Sequence, residues 1–245
     1  MRLPKTAEIF EKLADAEHMS LWDVNSGYWS CRLREQDRQY TAFGTDSHGT
    51  MQFVAAPFGL ATSGSFFQRA IENVLQRDSN GPLLHHTVEC FVDDGTVHTN
   101  PTQNHTDELA RVLKQLWRNN ITIKMKKCIW GTDEAHLLGH VVECGKGIKP
   151  DERKVHDILA MKKIPTIGVL RSLMGSSVYM SEFVMDYAEL TGPLYDLLSA
   201  YKSSETPLHG AGTVQKWTAV HERCLQGIKA AMATTPVLAF PDFSK

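Results

Sequence analysis

The stretch Cys90–Gly95, read CFVDDG, places two adjacent carboxylates where the sequence predicts a tight β-hairpin. Val88 and Val92 alternate with polar residues as in a half-buried strand, and Val97 resumes the pattern beyond the Asp-Asp-Gly turn. Adjacent carboxylates repel each other unless a divalent cation is bound, and hard oxygen ligands suit Mg²⁺. Because Asp and Gly are also ordinary turn residues, this stretch alone leaves a purely structural interpretation open.

A third carboxylate, Asp23, ends an apolar run and precedes the turn-like stretch Val24–Tyr28. In Trp29–Arg34 apolar and polar residues alternate, which predicts a strand with one buried face. If the Asp23 segment lies beside the hairpin in one sheet, Asp23 meets Asp93 and Asp94 at one edge. Three such carboxylates are enough to hold two cations for an in-line displacement at phosphorus.

Helical periodicity accompanies these segments. It predicts a helix over Thr6–Ala16, one that places Phe66 and Phe67 in the core behind Thr62 and Ser63 as caps, and one over Leu109–Trp117 opened by Pro101-Thr102. Strands interleaved with helices that cover one face of a sheet predict an α+β fold.

From residue 149 onward the periodicity predicts a small helical domain. Ser203–Thr213, rich in Ser, Gly and other small residues, is the best linker candidate. A last helix through Trp217 and Ile228 precedes Pro236.

Charge and cysteine usage restrict the classes of function. The net charge of the 245 residues is −2, but between Arg111 and Arg171 thirteen basic residues face six acidic ones, an excess that could follow a phosphate backbone. A solvated helix surface is the alternative interpretation. The five cysteines are irregularly spaced, with no signal peptide and no membrane-spanning run, so we expect an intracellular, reduced protein without a membrane partner. A zinc site is a further alternative, although its candidate ligands match no common zinc spacing: Cys128, His136, His140 and Cys144.

Four segments occur in the order found in reverse transcriptases: Leu21–Tyr28 (LWDVNSGY), Ala56–Leu60 (APFGL) with Phe66–Gln68 (FFQ), Phe91–Asp94 (FVDD) and Leu137–His140 (LLGH). Later segments extend the likeness over nearly the whole chain: GIKPD at 147–151, LRSLMG at 170–175, GPL at 192–194 and PVLAFPD at 236–242. Together they resemble the polymerase of gypsy-type long-terminal-repeat retrotransposons.

The resemblance implies a polymerase palm, an antiparallel sheet with helices on one face, and a helical thumb-like subdomain. We expect the palm with partial fingers over residues 1–148 and the thumb-like part over residues 149–202. Residues 203–245 would then form a linker and a C-terminal helix leading toward an absent ribonuclease H domain.

The resemblance also implies the activity of an RNA-directed DNA polymerase. Asp23, Asp93 and Asp94 match the catalytic carboxylates, with the backbone carbonyl of Val24 as an additional metal ligand. They would hold Mg²⁺, with Mn²⁺ as an alternative, to activate a primer 3′-hydroxyl and neutralise the triphosphate. The implied partners are an RNA or DNA template with its primer, deoxynucleoside triphosphates, and other polyprotein domains such as ribonuclease H and integrase. The implied location is cytoplasmic, in a retrotransposon particle, or nuclear.

Further positions match the substrate-binding motifs of this family. Tyr28 would pack under the sugar and exclude a ribose 2′-hydroxyl, with core packing as the alternative, while Ser26 and Gly27 would offer backbone N–H groups to phosphates. Pro57, Phe58 and Gly59 match the loop that would shape the nucleotide and template pocket. Leu138, Gly139 and His140 match the hairpin that would grip the primer strand. For His140, an exposed strand residue is the alternative.

Several positions depart from the family. The chain starts just past the segment that supplies basic fingers residues, Tyr40 stands where lysine is usual, Trp29-Ser30 replace His-Gln, and Gly95-Thr96 replace an aliphatic pair. A second function therefore stays open, a catalytically inactive or domesticated remnant that binds nucleic acid or a protein partner.

Overall fold

The computed structural model describes residues 3–209, 216–234 and 238–240. Within them the chain forms two compact units. The first contains residues 3–137, 142–147 and 240, and the second contains residues 138–141, 148–209, 216–234 and 238–239. The expected α+β fold is confirmed, since an antiparallel sheet with helices occurs in the first unit and helices dominate the second.

The first unit contains four helices among its described residues: α1 Thr6–Lys12, α2 Gly27–Ser30, α3 Ser63–Leu75 and α4 His105–Arg118. Two 3₁₀ helices occupy Glu35–Thr41 and Met125–Lys127. Its strands are β1 His18–Asp23, β2 Phe43–Thr45, β3 Gly49–Met51, β4 Arg77–Asp78, β5 Gly81–Pro82, β6 Val88–Phe91, β7 Asp94–Thr99, β8 Ile129–Thr132 and β9 Glu134–Leu137.

Strands β6, β7, β1 and β8 form an antiparallel sheet in that order. Helices α3 and α4 pack on one face, where Trp22 and Val97 of the sheet join Phe67 of α3 in a buried core. Successive residues of a strand point to opposite faces. Because Trp22 and Val97 face the helices, Asp23 and Asp94 lie on the opposite face.

The second unit is mainly helical, as expected, with α5 Glu152–Ala160, α6 Ile167–Val178, α7 Tyr187–Ala200 and α8 Ala219–Ala233. Helices α5 and α7 both contact α8, and their apolar side chains bury against one another: Ile158, Leu170, Leu194 and Ile228. Strands β10 His140–Glu143 and β11 Gly147–Pro150 form a three-stranded sheet with β9, in the order β11, β10, β9.

The strand predicted over Trp29–Arg34 is wrong. Ser26 has a φ of 55°, so the chain turns at once into the short helix α2, in which the Ser30 hydroxyl donates to the Gly27 carbonyl at 2.6 Å. Only an isolated bridge between Arg32 and Ala55 remains, and a 3₁₀ helix follows. The alternation in the sequence therefore reflects a turn with one buried side rather than a ladder.

The predicted hairpin forms, but its turn differs. Val92 and Asp93 make the turn, with Val92 at a φ of 55°, and Asp94 already pairs with Phe91. Gly95 lies inside β7, where it is the partner of Trp22 in β1. The glycine therefore provides space for the Trp22 ring rather than the conformation of a turn.

Other differences concern helix ends and exposure. Helix α1 ends at Lys12, before the predicted Ala16, and α4 begins after Asn104, whose side chain accepts hydrogen bonds from two backbone N–H groups of the first turn. Thr62 precedes α3 without a capping bond from its side chain. Phe66 is 40% exposed and Trp117 is 76% exposed, so both lie outside the core.

The described residues also bear on the zinc alternative, on membrane-spanning helices and on the predicted linker. The zinc alternative finds no support there, since no three His, Cys, Asp or Glu side chains are arranged to hold a metal ion. Among the same residues, no helix has the length and apolar character needed to cross a membrane. Of the predicted linker, residues 203–209 contain no helix or strand, and residues 210–213 lie outside the described residues, as does Pro236.

We expect Gly95→Ala to destabilise the first unit. A methyl group at Gly95 would overlap the indole of Trp22, and overpacking of this kind typically costs about 1–3 kcal/mol. Urea unfolding followed by circular dichroism measures the loss. Gly175→Ala in α6 is the control, because nothing lies within 4 Å of its added methyl and alanine favours a helix by about 1 kcal/mol. Equal effects of the two substitutions would contradict the role of the Trp22 contact.

Candidate functional site

Strand register brings the three predicted carboxylates to one end of the sheet. Asp23, the last residue of β1, is the cross-strand partner of Asp94, the first residue of β7. Asp93 precedes Asp94 in the hairpin turn, and its carbonyl accepts a hydrogen bond from the N–H of Val24 at 2.9 Å. The backbone therefore gathers Asp23, Val24, Asp93 and Asp94, as the sequence predicts.

Two lysines hold the carboxylate of Asp23. Lys124 Nζ lies 2.6 Å from Oδ1 and Lys127 Nζ lies 3.0 Å from Oδ2, and the Lys124 N–H also donates to the Asp23 carbonyl. Desolvation raises the pKa of Asp23, but the hydrogen bonds and positive charges of Lys124 and Lys127 outweigh it and lower the pKa. Asp23 is thus kept ionised.

Sequence reasoning counted these lysines only as part of a basic excess. Their positions depend on the 3₁₀ helix Met125–Lys127 and on the isolated bridge between Val24 and Ile123, which lays this segment beside the end of β1. The Lys-x-x-Lys spacing was the one available signal, and it has no meaning until the two segments are known to be neighbours.

Asp93 and Asp94 are in the opposite electrostatic situation. Desolvation, followed by the negative charge of Asp23, raises the pKa of each, and Asp93 adds to the effect on Asp94. Among the described residues the buried Oδ1 of Asp93 has no hydrogen-bond partner. Gly27 packs directly against this oxygen, because a Cβ at that position would lie 2.7 Å from it. Lys124 and Lys127 lower both pKa values, but desolvation and the charges of the neighbouring carboxylates outweigh them.

This donor set fits a hard divalent cation. The available ligands are carboxylate oxygens, one of them unpartnered. Desolvation, and after it repulsion between the carboxylates, raises the pKa values of Asp93 and Asp94, and a bound cation would offset both effects. The carboxylate of Asp23 would have to exchange its lysine contacts for the cation.

An aromatic cluster borders the carboxylates. The half-buried ring of Tyr28 makes edge-to-face contacts with Phe58 at 5.2 Å and Phe67 at 5.7 Å between centroids. Desolvation and the nearby charge of Asp93 raise the pKa of Tyr28. Tyr28 therefore lies beside the carboxylates while also packing on α3, so the two interpretations of this residue are compatible.

The loop that precedes α3 holds one wall of this cluster. Pro57 is buried and its carbonyl accepts a hydrogen bond from the Ser63 hydroxyl at 3.0 Å, whereas Phe58 is 63% exposed. Gly59 has a φ of 89°, a left-handed conformation that favours glycine. The loop thus anchors its proline and presents the Phe58 ring to Tyr28.

In the second unit, Leu138 and Gly139 form a left-handed turn with φ values of 48° and 76°. His140 follows it and is 5% exposed, so the alternative of an exposed strand residue is wrong. Its ring packs against Tyr179 and Phe183 at centroid distances of 4.9 and 5.6 Å. Burial lowers the pKa of His140, and the residue acts here as a support for the turn.

Known proteins resemble this chain in sequence and in fold. Residues 1–142 match the family described as reverse transcriptase (RNA-dependent DNA polymerase). Over 99% of its length the chain is 27% identical to the retrovirus-related Pol polyprotein from transposon opus of Drosophila melanogaster, 28% to that from transposon 297 of the same species, and 27% to the transposon Tf2-3 polyprotein of Schizosaccharomyces pombe. The chain spans 24%, 21% and 17% of those polyproteins.

Two solved structures share the fold. The foamy viral protease-reverse transcriptase in complex with an RNA/DNA hybrid covers 98% of this chain with a TM-score of 0.82 at 22% identity, and the match spans 30% of that protein. The same protein in a form described as dRH, in complex with double-stranded DNA, covers 99% with a TM-score of 0.81 at 22% identity, and the match spans 40% of it.

We expect Lys124→Gln to raise the pKa of Asp23, because the nearer of its two ammonium partners is removed while desolvation remains. Titration of the aspartate carboxyl carbons by NMR measures the shift. A carboxyl group with a lowered pKa stabilises the fold above its ordinary pKa of about 4 and loses this contribution as the pH falls. The variant should therefore lose less stability than the wild type on acidification through that range. Lys126→Gln is the control, since Lys126 is exposed and makes no described contact with Asp23. An unchanged pKa of Asp23 in Lys124→Gln would contradict the assignment.

Proposed function

The chain belongs to the reverse transcriptase (RNA-dependent DNA polymerase) family, and we propose that it is the RNA-directed DNA polymerase domain of a gypsy-type retrotransposon polyprotein. The observation that carries the proposal is the pairing of Asp23 with Asp94 beside Asp93, whose Oδ1 has no hydrogen-bond partner among the described residues. The transposon polyproteins that match 99% of this chain support the retrotransposon origin.

We propose that Asp23, Asp93, Asp94 and the carbonyl of Val24 hold Mg²⁺, or Mn²⁺ in its place. When bound, the cations would lower the pKa of an attacking hydroxyl and offset the charge of the triphosphate. The contribution of the chain itself is position and charge. Lys124 and Lys127 keep Asp23 ionised, and Gly27 packs directly against the carboxylate of Asp93.

The substrate contacts that we propose follow the resemblance. The N–H groups of Ser26 and Gly27 would bind phosphate, and Tyr28 would lie against the sugar. The loop of Pro57, Phe58 and Gly59 would shape the nucleotide pocket, and Leu138, Gly139 and His140 would contact the primer strand. The half-buried Tyr28 ring beside Asp93 supports the second of these roles, since a sugar near the carboxylates would meet that ring.

The proposed partners are a primed RNA or DNA template and deoxynucleoside triphosphates, together with other domains of the polyprotein. Foamy viral protease-reverse transcriptase has been captured with an RNA/DNA hybrid and with double-stranded DNA, which supports the choice of nucleic acid.

A second candidate is an inactive protein of the same fold that binds nucleic acid. Two observations favour it. Both carboxylate oxygens of Asp23 already contact lysines. Among the described residues, no three ligating side chains are arranged around one point.

Primer extension distinguishes the two candidates. We expect the chain to extend an oligo(dT) primer on poly(rA) with Mg²⁺, and Asp93→Asn or Asp94→Asn to lower the rate by about a hundredfold or more, because each change removes a negatively charged cation ligand. Asp107→Asn on α4, exposed and outside the site, should leave the rate unchanged. Binding of primed template without extension by the wild type would instead establish the second candidate.

We expect Tyr28→Ala to relax discrimination against ribonucleotides, because removal of the ring removes the clash with a 2′-hydroxyl. The ratio of kcat/KM for dTTP to that for UTP on the same primed template measures this effect. Phe67→Leu is the matched variant, since it disturbs the packing around Tyr28 without removing the Tyr28 ring. An active Tyr28→Ala protein with unchanged discrimination would assign the residue to packing alone.

A further inference from the structure

A cavity of about 630 Å³ in the first unit lies apart from the carboxylates and is lined by three arginines. Arg32 and Arg34 follow helix α2, and Arg69 lies on α3. Arg69 comes from a different segment of the chain than Arg32 and Arg34, so the fold brings its guanidinium group to the same cavity. The polymerase function proposed above assigns none of them a role.

The arginines carry charge that the cavity does not neutralise. Arg34 Nε donates to Asp37 Oδ2 at 2.7 Å, whereas among the described residues Arg32 and Arg69 form no ion pair. Three guanidinium groups and one carboxylate leave a local charge of +2 in a chain whose net charge is −2. Guanidinium groups bind phosphate with two parallel hydrogen bonds, which makes a phosphate ester the matching ligand.

The rest of the cavity wall is suited to an aromatic group. Phe66 and Leu60 line it and are 40% and 41% exposed, although both are large apolar side chains. The Arg69 guanidinium lies 5.7 Å from the centroid of the Phe66 ring, so the apolar and cationic surfaces adjoin. Nucleic-acid bases stack on exposed aromatic side chains such as that of Phe66. The volume of the cavity lies within the range of small-molecule binding sites.

We propose that this cavity is a second nucleotide-binding site, in which Arg32 and Arg69 bind a phosphate and the wall formed by Phe66 and Leu60 receives the base. A free nucleotide and a nucleotide within a single strand offer the same chemistry. Helix α3 connects this site to the first one, since Phe67 contacts Tyr28 while the adjacent Phe66 lines the cavity. The proposal does not depend on catalysis at the carboxylates.

Binding of fluorescent dT₈ and of labelled dTMP in EDTA tests the site, because cations at the carboxylates are then excluded. We expect the double variant Arg32→Gln/Arg69→Gln to bind at least about tenfold more weakly than the wild type, since charge-assisted hydrogen bonds to phosphate are lost. For dT₈ the slope of log K against log salt should decrease by about 1.4, the value for two phosphate contacts on a single strand. If the double substitution weakens binding of dTMP and of dT₈ by the same factor, the site binds a free nucleotide. If it weakens binding of dT₈ alone, the site binds a nucleotide within a strand.

Three further variants distinguish binding at this site from general electrostatic attraction to the protein. Arg32→Lys/Arg69→Lys keeps both charges and should retain part of the affinity, while Phe66→Ala should weaken dT₈ but not inorganic tripolyphosphate. Arg77→Gln removes an exposed arginine of β4, outside both the cavity and the basic stretch of residues 111–171, and should leave binding unchanged. Circular dichroism checks that each variant is folded. Wild-type affinity in the double variant, or an equal loss per charge in Arg77→Gln, would overturn the proposal, and failure of primer extension would not affect it.

Discussion

The contact between Trp22 and Gly95 determines how strands β1 and β7 are paired. The two residues are cross-strand partners, and the indole fills the space that any side chain at position 95 would need. A shift of one residue in a strand pair would turn every side chain to the other face of the sheet. With this pairing, Asp23 lies opposite Asp94. The geometry of the carboxylates therefore depends on an apolar contact on the opposite face of the same sheet.

Magnitudes show which interaction dominates. Like charges facing each other across two strands cost a few tenths to about 1 kcal/mol. Burial of one large apolar side chain contributes about 1.5–3 kcal/mol, and Trp22, Val97 and Phe67 are all nearly inaccessible to solvent. The core can therefore hold the three carboxylates together against their repulsion. Packing fixes their positions, and the lysines adjust only their ionisation.

The sequence predicted those features that depend on local pattern. Alternation around Val88 and Val97 indicated the hairpin, and the end of an apolar run placed Asp23 at a strand end. The sequence predictions failed where the role of a residue depends on a contact with a residue distant in the sequence. The sequence around Gly95 predicts a turn residue, and only the structure shows that the Trp22 ring packs against it.

Other positions depend on packing that no local pattern records. Phe66 has helical spacing like Phe67, but only Phe67 faces the sheet, and Trp117 projects from α4 into solvent. The alternation in Trp29–Arg34 was real, yet the left-handed Ser26 made it one side of a turn. Lys124 could not be linked to Asp23 from spacing alone, because about a hundred residues separate them.

The unequal pKa values of the three carboxylates define the order in which charge builds at the turn. Lys124 and Lys127 lower the pKa of Asp23, so it ionises first as the pH rises, while Asp93 and Asp94 retain protons to higher pH. Each later ionisation adds repulsion to a site that is already negative. A cation gains most from the last two charges, and its affinity for the turn should therefore increase with pH through the range in which Asp93 and Asp94 titrate. The lysines act in the opposite direction, since their ammonium groups compete for the oxygens of Asp23.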